Sequence, residues 1–333
     1  SQKQFIETIT ARMSFRIIMF KIPPQQLHAG NFWNEHPTFW ILPKDELNWF
    51  KVFHRGFHAM SLTSHSSSSS QYIIQGGLPG RERLRVLAGI LEPTTLSLLE
   101  RVGIRTGMRC LDVGCGGGDV AFELARRVAP DGTVVGIDLD EQTLELARSE
   151  AALLGRHQAS FQQAEVMSSD LPSEFDLVYA RFLLSHLPDP VGALARMHDA
   201  LRPGGVLIIE DIDFAGHFCW PPCPAFGRYQ ELYTQAVKLG GADPYIGPRL
   251  PGMLLDLGCR EVQMHVIHPV GYDGDVKLMS AITMEKISTA VVAAGLATES
   301  EVQQIAADLY KVAGDRRTVM SMPRIIQAWG YRE

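Results

Sequence analysis

Leu111-Asp112-Val113-Gly114-Cys115-Gly116-Gly117-Gly118-Asp119-Val120 is the stretch around which the rest of the chain is ordered. A short apolar run, Cys110 to Val113, leads into it, and a helical pattern, Val120 to Val128, leads out. That reads as strand, glycine turn, helix. Glycine reaches positive φ and has no Cβ, so a ligand can lie against the main chain. The helix start beyond it offers unpaired N–H groups. The spacing is G-x-G-x-G, with Asp112 two residues before the first glycine. A dinucleotide fingerprint would be G-x-G-x-x-G, and here position 119 is Asp.

The distances outward from this turn carry the fold. Thr133 to Asp138 reads as a second strand ending on a carboxylate, close to the ~20 residues at which a ribose-binding acid follows the first glycine. Ala159 to Glu165 is expected as a third strand and Phe175 to Ala180 as a fourth. Val206 to Asp211, after Leu201-Arg202-Pro203-Gly204-Gly205, is the fifth. Val262 to His268 and Ile325 to Tyr331 complete the set. Helices are expected over Arg81–Leu91, Pro93–Val102, Glu141–Leu154, Val191–Leu201 and Phe226–Leu239, and through most of 274–317. Alternation of this kind gives a parallel sheet with helices on both faces. Ligands then sit outside the carboxyl ends of the strands, where Asp112, Gly114, Asp138, Glu165, Ala180 and Asp211 would meet.

Bulk properties narrow the function. The 333 residues carry a net charge of −6, which argues against nucleic acid or an anionic membrane surface as partner, since both need a basic face. Five cysteines, odd in number and scattered, imply no disulfide framework and point to a reducing, cytoplasmic compartment. Cys219 and Cys223 have no second pair at ligand spacing, so no metal is expected. No run approaches the ~18 apolar residues of a membrane span. Residues 1–70 differ from the rest: they hold Trp33, Trp40, Trp49 and a serine run at 66–70. They are read as an N-terminal extension and linker, leaving open a cap, an oligomerisation arm or an accessory segment. Residues 71–333 are read as the main domain.

The combination of Asp112 with G-x-G-x-G, Asp138 and L-R-P-G-G resembles the class I S-adenosylmethionine-dependent methyltransferases. Ala180-Arg181-Phe182-Leu183-Leu184-Ser185-His186, Glu210 to His217 and Met320 to Gly330 look like a bacterial subgroup acting on small molecules. The resemblance implies an α/β, Rossmann-like, doubly wound, seven-stranded, mostly parallel sheet, with a helical lid inserted at about 272–318. It implies S-adenosyl-L-methionine as cofactor. Gly114 and Gly116 would approach its methionine part, which Asp112 would help position, and Ala180 and Arg181 would lie near the methionine end and the acceptor. Asp138, with Leu139 beside it, would take the ribose hydroxyls, and Glu165 and Val166 the adenine. The family usually has Asp where Glu165 stands.

Methyl transfer to a hydroxyl or an unactivated carbon needs a base, and the candidates are His186, Asp211, Asp213 and His217. The aromatic and proline-rich run from Phe214 to Tyr233 would wall a pocket for a small apolar or aromatic acceptor. Tyr72, Arg83, Trp220, Tyr229 and Arg249 are the candidate pocket residues. Two rivals remain on the residues alone: a nicotinamide dehydrogenase, whose fingerprint spacing is broken here, and a non-catalytic cofactor-binding or interaction protein. A homo-oligomer is left open.

Overall fold

Asp112 and its glycine turn occupy the middle of a seven-stranded sheet. The structure, a computed structural model, describes Ile74 and residues 77–333; the extension expected over 1–70 and the candidate Tyr72 lie outside the described residues. The strands are β1 (Arg109–Val113), β2 (Thr133–Asp138), β3 (Ala159–Gln163), β4 (Phe175–Arg181), β5 (Leu201–Asp213), β7 (Arg260–Ile267) and β10 (Arg324–Tyr331). Their order is β3-β2-β1-β4-β5-β10-β7. The first five are parallel, while β10 runs antiparallel to both β5 and β7. This is a Rossmann-like α/β sheet. A small antiparallel sheet of β6 (Cys219–Trp220), β9 (Val319–Ser321) and β8 (Val270–Gly271) was not foreseen.

The helices are α1 (Gly77–Val102), α2 (Asp119–Val128), α3 (Glu141–Leu153), α4 (Pro190–Asp199), α5 (Pro224–Leu239), α6 (Leu250–Asp256), α7 (Asp275–Ala293) and α8 (Glu299–Gly314). Strand residues alternate between the two faces. Cys110, Val134, Leu177, Tyr179, Ile208 and Trp329 pack with Leu98, Leu99, Phe122, Leu124 and Leu144. Leu111, Val113, Val178, Ala180, Leu207 and Ala328 pack with Leu194, Met197, Leu250 and Leu254. Such a side chain contributes about 1.5–3 kcal/mol when fully buried, so both faces hold the sheet. A third cluster joins α5, α7 and α8 through Leu232, Met284, Ile287, Ile305 and Leu309.

Three expectations change in detail. The two helices expected either side of Pro93 are one helix, α1, with Pro93 inside it. Proline removes one helical hydrogen bond, but Leu87, Leu91, Leu98 and Leu99 on both sides of it are buried, and Thr94 Oγ1 donates to the Leu91 carbonyl at 2.8 Å. β5 begins at Leu201, not Val206, because its Arg-Pro-Gly-Gly entry is tied to the end of the chain: Gly204 N donates to Arg332 O at 2.9 Å and Arg332 N to Gly205 O at 2.8 Å. β3 stops at Gln163, so Glu165 stands in the turn beyond it.

Candidate active site

The glycine turn is fixed by the tip of β2. Gly114 N and Cys115 N both donate to Ile137 O, at 2.8 and 3.0 Å. Gly116 N donates to Asp138 Oδ2 at 2.8 Å, and Asp140 N donates to Asp138 Oδ1 at 3.0 Å. Gly114 and Gly116 have φ of 68° and 51°, a region that side chains rarely adopt. A Cβ on them would meet Leu183 Cδ1 at 3.2 Å and Leu84 Cδ1 at 3.0 Å, two residues that line the adjoining cavity. A carboxylate has about four lone-pair sites, so Asp138 keeps acceptor capacity toward that cavity.

The cavity has a volume of about 840 Å³, toward the upper end of the ~300–1,000 Å³ of small-molecule sites. Its floor is the strand tips and glycine turn, including Asp112, Gly114, Gly116, Asp138, Leu139, Glu165, Val166 and Arg181. Its roof comes from α1 (Arg83, Leu84, Leu87) and α7 (Met279, Thr283, Lys286, Thr289, Ala290), and Phe214, His217, Tyr229 and Tyr233 wall one side. Phe214 stacks on Tyr233 with ring centroids 4.3 Å apart and planes 10° apart.

Charge on the floor is concentrated. Asp112 is buried and its Oδ2 has no hydrogen-bond partner. Burial, opposed by the Arg181 cation, pushes its carboxyl up to about 7. Burial works against the Arg181 guanidinium as well, but Tyr179, Glu210 and Asp112 outweigh it and hold the group cationic. Arg181 also donates to Thr95 Oγ1 of α1 at 3.1 Å. Burial raises the Asp138 carboxyl too, against the backbone N–H groups of Asp140 and Gly116. Glu165 is exposed, and its Oε2 accepts from Ser168 Oγ at 2.8 Å.

The structure separates the candidates. Of the cofactor residues, Ala180 alone does not line the cavity; it is buried in the sheet. His186 and His217 line the cavity, whereas Asp211 and Asp213 do not. Asp211 is buried behind the wall, its Oδ2 accepting from Ser185 N at 3.1 Å and its Oδ1 from Ile212 N at 2.8 Å. Asp213 is ion-paired with Arg324 at 2.6 Å, directly across the β5–β10 ladder. Tyr229 and Arg83 line the cavity. Trp220 is 65% exposed on β6, and Arg249 is exposed and paired with Asp243 at 2.9 Å.

The two histidines are neutral. Burial, with the nearby Arg83 cation, pushes His186 down to about 3, and burial does the same to His217. His217 sits edge-on to Phe214, Phe226 and Tyr229, and its Nε2 is 3.2 Å from Ser280 Oγ. The sequence analysis did not single out Lys286 or Thr283, whose α7 spacing of three reads as an ordinary helix face. Among the described residues no cluster of His, Cys, Asp and Glu could hold a metal ion, and no helix is long and apolar enough to cross a membrane.

Residues 104–237 match the family model of a methyltransferase domain. A ubiquinone biosynthesis O-methyltransferase of Leptothrix cholodnii is 32% identical over 126 residues, 37% of this chain and 52% of that protein. A demethylmenaquinone methyltransferase of Lactococcus lactis subsp. lactis is 33% identical over 153 residues, 45% of this chain and 55% of that protein. The chain thus spans about half the length of the curated relatives it matches. A solved structure from Bacillus halodurans C-125, described as that of a candidate methyltransferase, aligns with a TM-score of 0.50 and 19% identity over 72% of this chain and 98% of that one. At that identity the likeness concerns the fold alone.

Proposed function

We propose that this chain, whose residues 104–237 match the family model of a methyltransferase domain, transfers a methyl group from S-adenosyl-L-methionine to a small, apolar or aromatic acceptor. The observation that carries the reading is the glycine turn tied to Asp138 at the floor of a cavity walled on one side by Phe214, Tyr229 and Tyr233. The residues fit the cofactor. The unpartnered Asp112 Oδ2 suits a cationic or hydrogen-bond-donating group, and the glycines leave the space that a Cβ would fill. Asp138 would accept from the ribose hydroxyls, with Leu139 beside it. Glu165 and Val166 would flank the adenine. Arg181 helps to position the methionine end. When bound, the cofactor supplies an activated methyl group, and the protein's part is alignment and exclusion of water.

The stacked Phe214–Tyr233 wall gives the acceptor a flat apolar surface. An enclosed site and a net charge of −6 favour a small molecule over nucleic acid or a lipid surface. Five unpaired thiols suit a reducing, cytoplasmic compartment. The relatives named for quinone methylation make phenol and quinone panels the natural first acceptors.

Calorimetry with S-adenosylmethionine and with NAD tests the cofactor, and product mass from the acceptor panels tests the activity. Asp138→Ala removes up to two charge-assisted hydrogen bonds, each about 1.5–3 kcal/mol at most, and is expected to weaken S-adenosylmethionine binding at least about tenfold. Binding of NAD in place of S-adenosylmethionine would end this reading. Tight cofactor binding with no turnover on any panel would favour a cofactor-binding protein.

A further inference from the structure

Charge in the cavity is divided. Its acids, Asp112, Asp119, Asp138, Asp140 and Glu165, belong to the strand tips and the turns beyond them. The roof contributes two cations, Arg83 and Lys286, and among the described lining residues no carboxylate. Arg81, Arg83 and Arg85 stand at alternate positions of α1. Arg81 and Arg85, one turn apart, both reach Glu150 of α3, at 2.8 and 3.1 Å, and Arg81 also pairs with Asp119 at 2.7 Å. Residues two apart on a helix do not share a face, so Arg83 points to the other side, into the cavity.

There Arg83 Nε donates to Thr283 Oγ1 at 3.3 Å, and among the described residues its terminal amino groups have no hydrogen-bond acceptor. A half-buried guanidinium in such a place presents a planar fork that matches two oxygens, or one oxygen held from two nitrogens. Lys286, one turn beyond Thr283 on α7, adds a second positive charge to the same side. His186 and the rings of Tyr229, Phe214 and Tyr233 line the same cavity, and the Arg83 charge acts on both His186 and Tyr229.

We propose that the acceptor carries an anionic oxygen, an ionised hydroxyl or a carboxylate, on a flat apolar skeleton, and that Arg83 holds that oxygen beneath α7. This rests on the methyltransferase reading of the same cavity. It accounts for the state of the four residues considered as bases: both lining histidines are pushed to about 3, chiefly by burial, and Asp211 and Asp213 are engaged outside the cavity. An acceptor that arrives ionised needs no base from the protein.

The test compares matched probes on the full chain by calorimetry, with and without saturating S-adenosylhomocysteine. One pair is 2-naphthoate against 2-naphthamide. The other is 4-nitrophenol, under conditions in which it is ionised, against 4-nitroanisole. The expected result is that at least one anion binds about 10-fold or more tightly than its neutral partner. Arg83→Gln is expected to remove that preference and leave S-adenosylhomocysteine affinity in place, with Arg83→Lys keeping part of the preference. Which pair discriminates tells a carboxylate handle from an ionised hydroxyl. Arg83→Met, which keeps the apolar stem, serves if the Gln variant does not fold. Equal binding within both pairs, or a preference that survives loss of the guanidinium, overturns the proposal. Failure of the wild type to bind S-adenosylhomocysteine removes the methyltransferase reading instead, and the probes on the cofactor-free chain still decide the role of Arg83.

Discussion

At the residue scale, Asp112 links the site to stability. Its ordinary carboxyl value of 3.8 is raised to about 7 by burial, against the pull of Arg181. A group raised in the folded state binds its proton more tightly there than in the unfolded chain. Its contribution is therefore present below the unfolded value of 3.8 and is lost as pH rises through about 7. His186 and His217, lowered from 6.5 to about 3, act with the opposite sign over the range between those values. The whole-protein profile mixes these effects, and the difference between wild type and Asp112→Asn isolates the carboxyl. We expect wild-type stability relative to the variant, from denaturant midpoints without ligand, to fall by on the order of 2 kcal/mol between about pH 5 and about pH 8. A difference that is flat or rising contradicts this. His186 gives a second prediction. A group titrating near 3 has little proton affinity to lend as a general base. His186→Ala is accordingly expected to keep turnover within about tenfold of wild type. A loss of about a hundredfold or more, with cofactor affinity and melting intact, would restore it as the base.

At the scale of elements, the α7–α8 insertion is pinned by one buried cation. Lys277 in α7 donates to Tyr272 O at 3.1 Å, Asp315 O at 2.7 Å and Thr318 Oγ1 at 2.8 Å, and its side chain is fully buried. These acceptors belong to the segments just before α7 and just after α8, so a single ammonium joins the two ends of the helical insertion. Lys277→Met removes three hydrogen bonds from a charged donor, a cost of about 1.5–3 kcal/mol or more, to be read from thermal and denaturant melts. The Gly114–Gly118 turn, the β2 acid and the succession of strands along the chain were legible because backbone conformation and strand period leave marks in local sequence. The continuity of α1 through Pro93 was not, since it depends on burial of Leu87 and Leu98 against other elements. Nor was the early start of β5, which depends on Arg332 near the far end of the chain. Trp220 and Arg249 stood in a suggestive aromatic and basic context, but composition does not say which side of a loop meets solvent. Lys286 and Thr283 escaped notice for the converse reason: they become part of a site only when α7 packs against α1.

At the scale of the whole molecule, the floor and the roof of the cavity come from different stretches of the chain. Most of the floor is local, drawn from residues between 112 and 188, while much of the roof lies between 279 and 323. β7 and β10 are neighbours in the sheet, with Ile267 opposite Ile325, and α7 and α8 lie wholly between them in sequence. The insertion therefore leaves the sheet and returns to it at adjacent points. An excursion of this kind can be exchanged, shortened or diversified without altering strand order or the glycine turn. On the proposed function, the residues that face the acceptor can then diverge while those of the glycine turn and the β2 acid stay the same. A graft of the α7–α8 insertion between relatives would have to bring a partner for Arg83 with it, because Thr283 travels with the insertion and Arg83 does not.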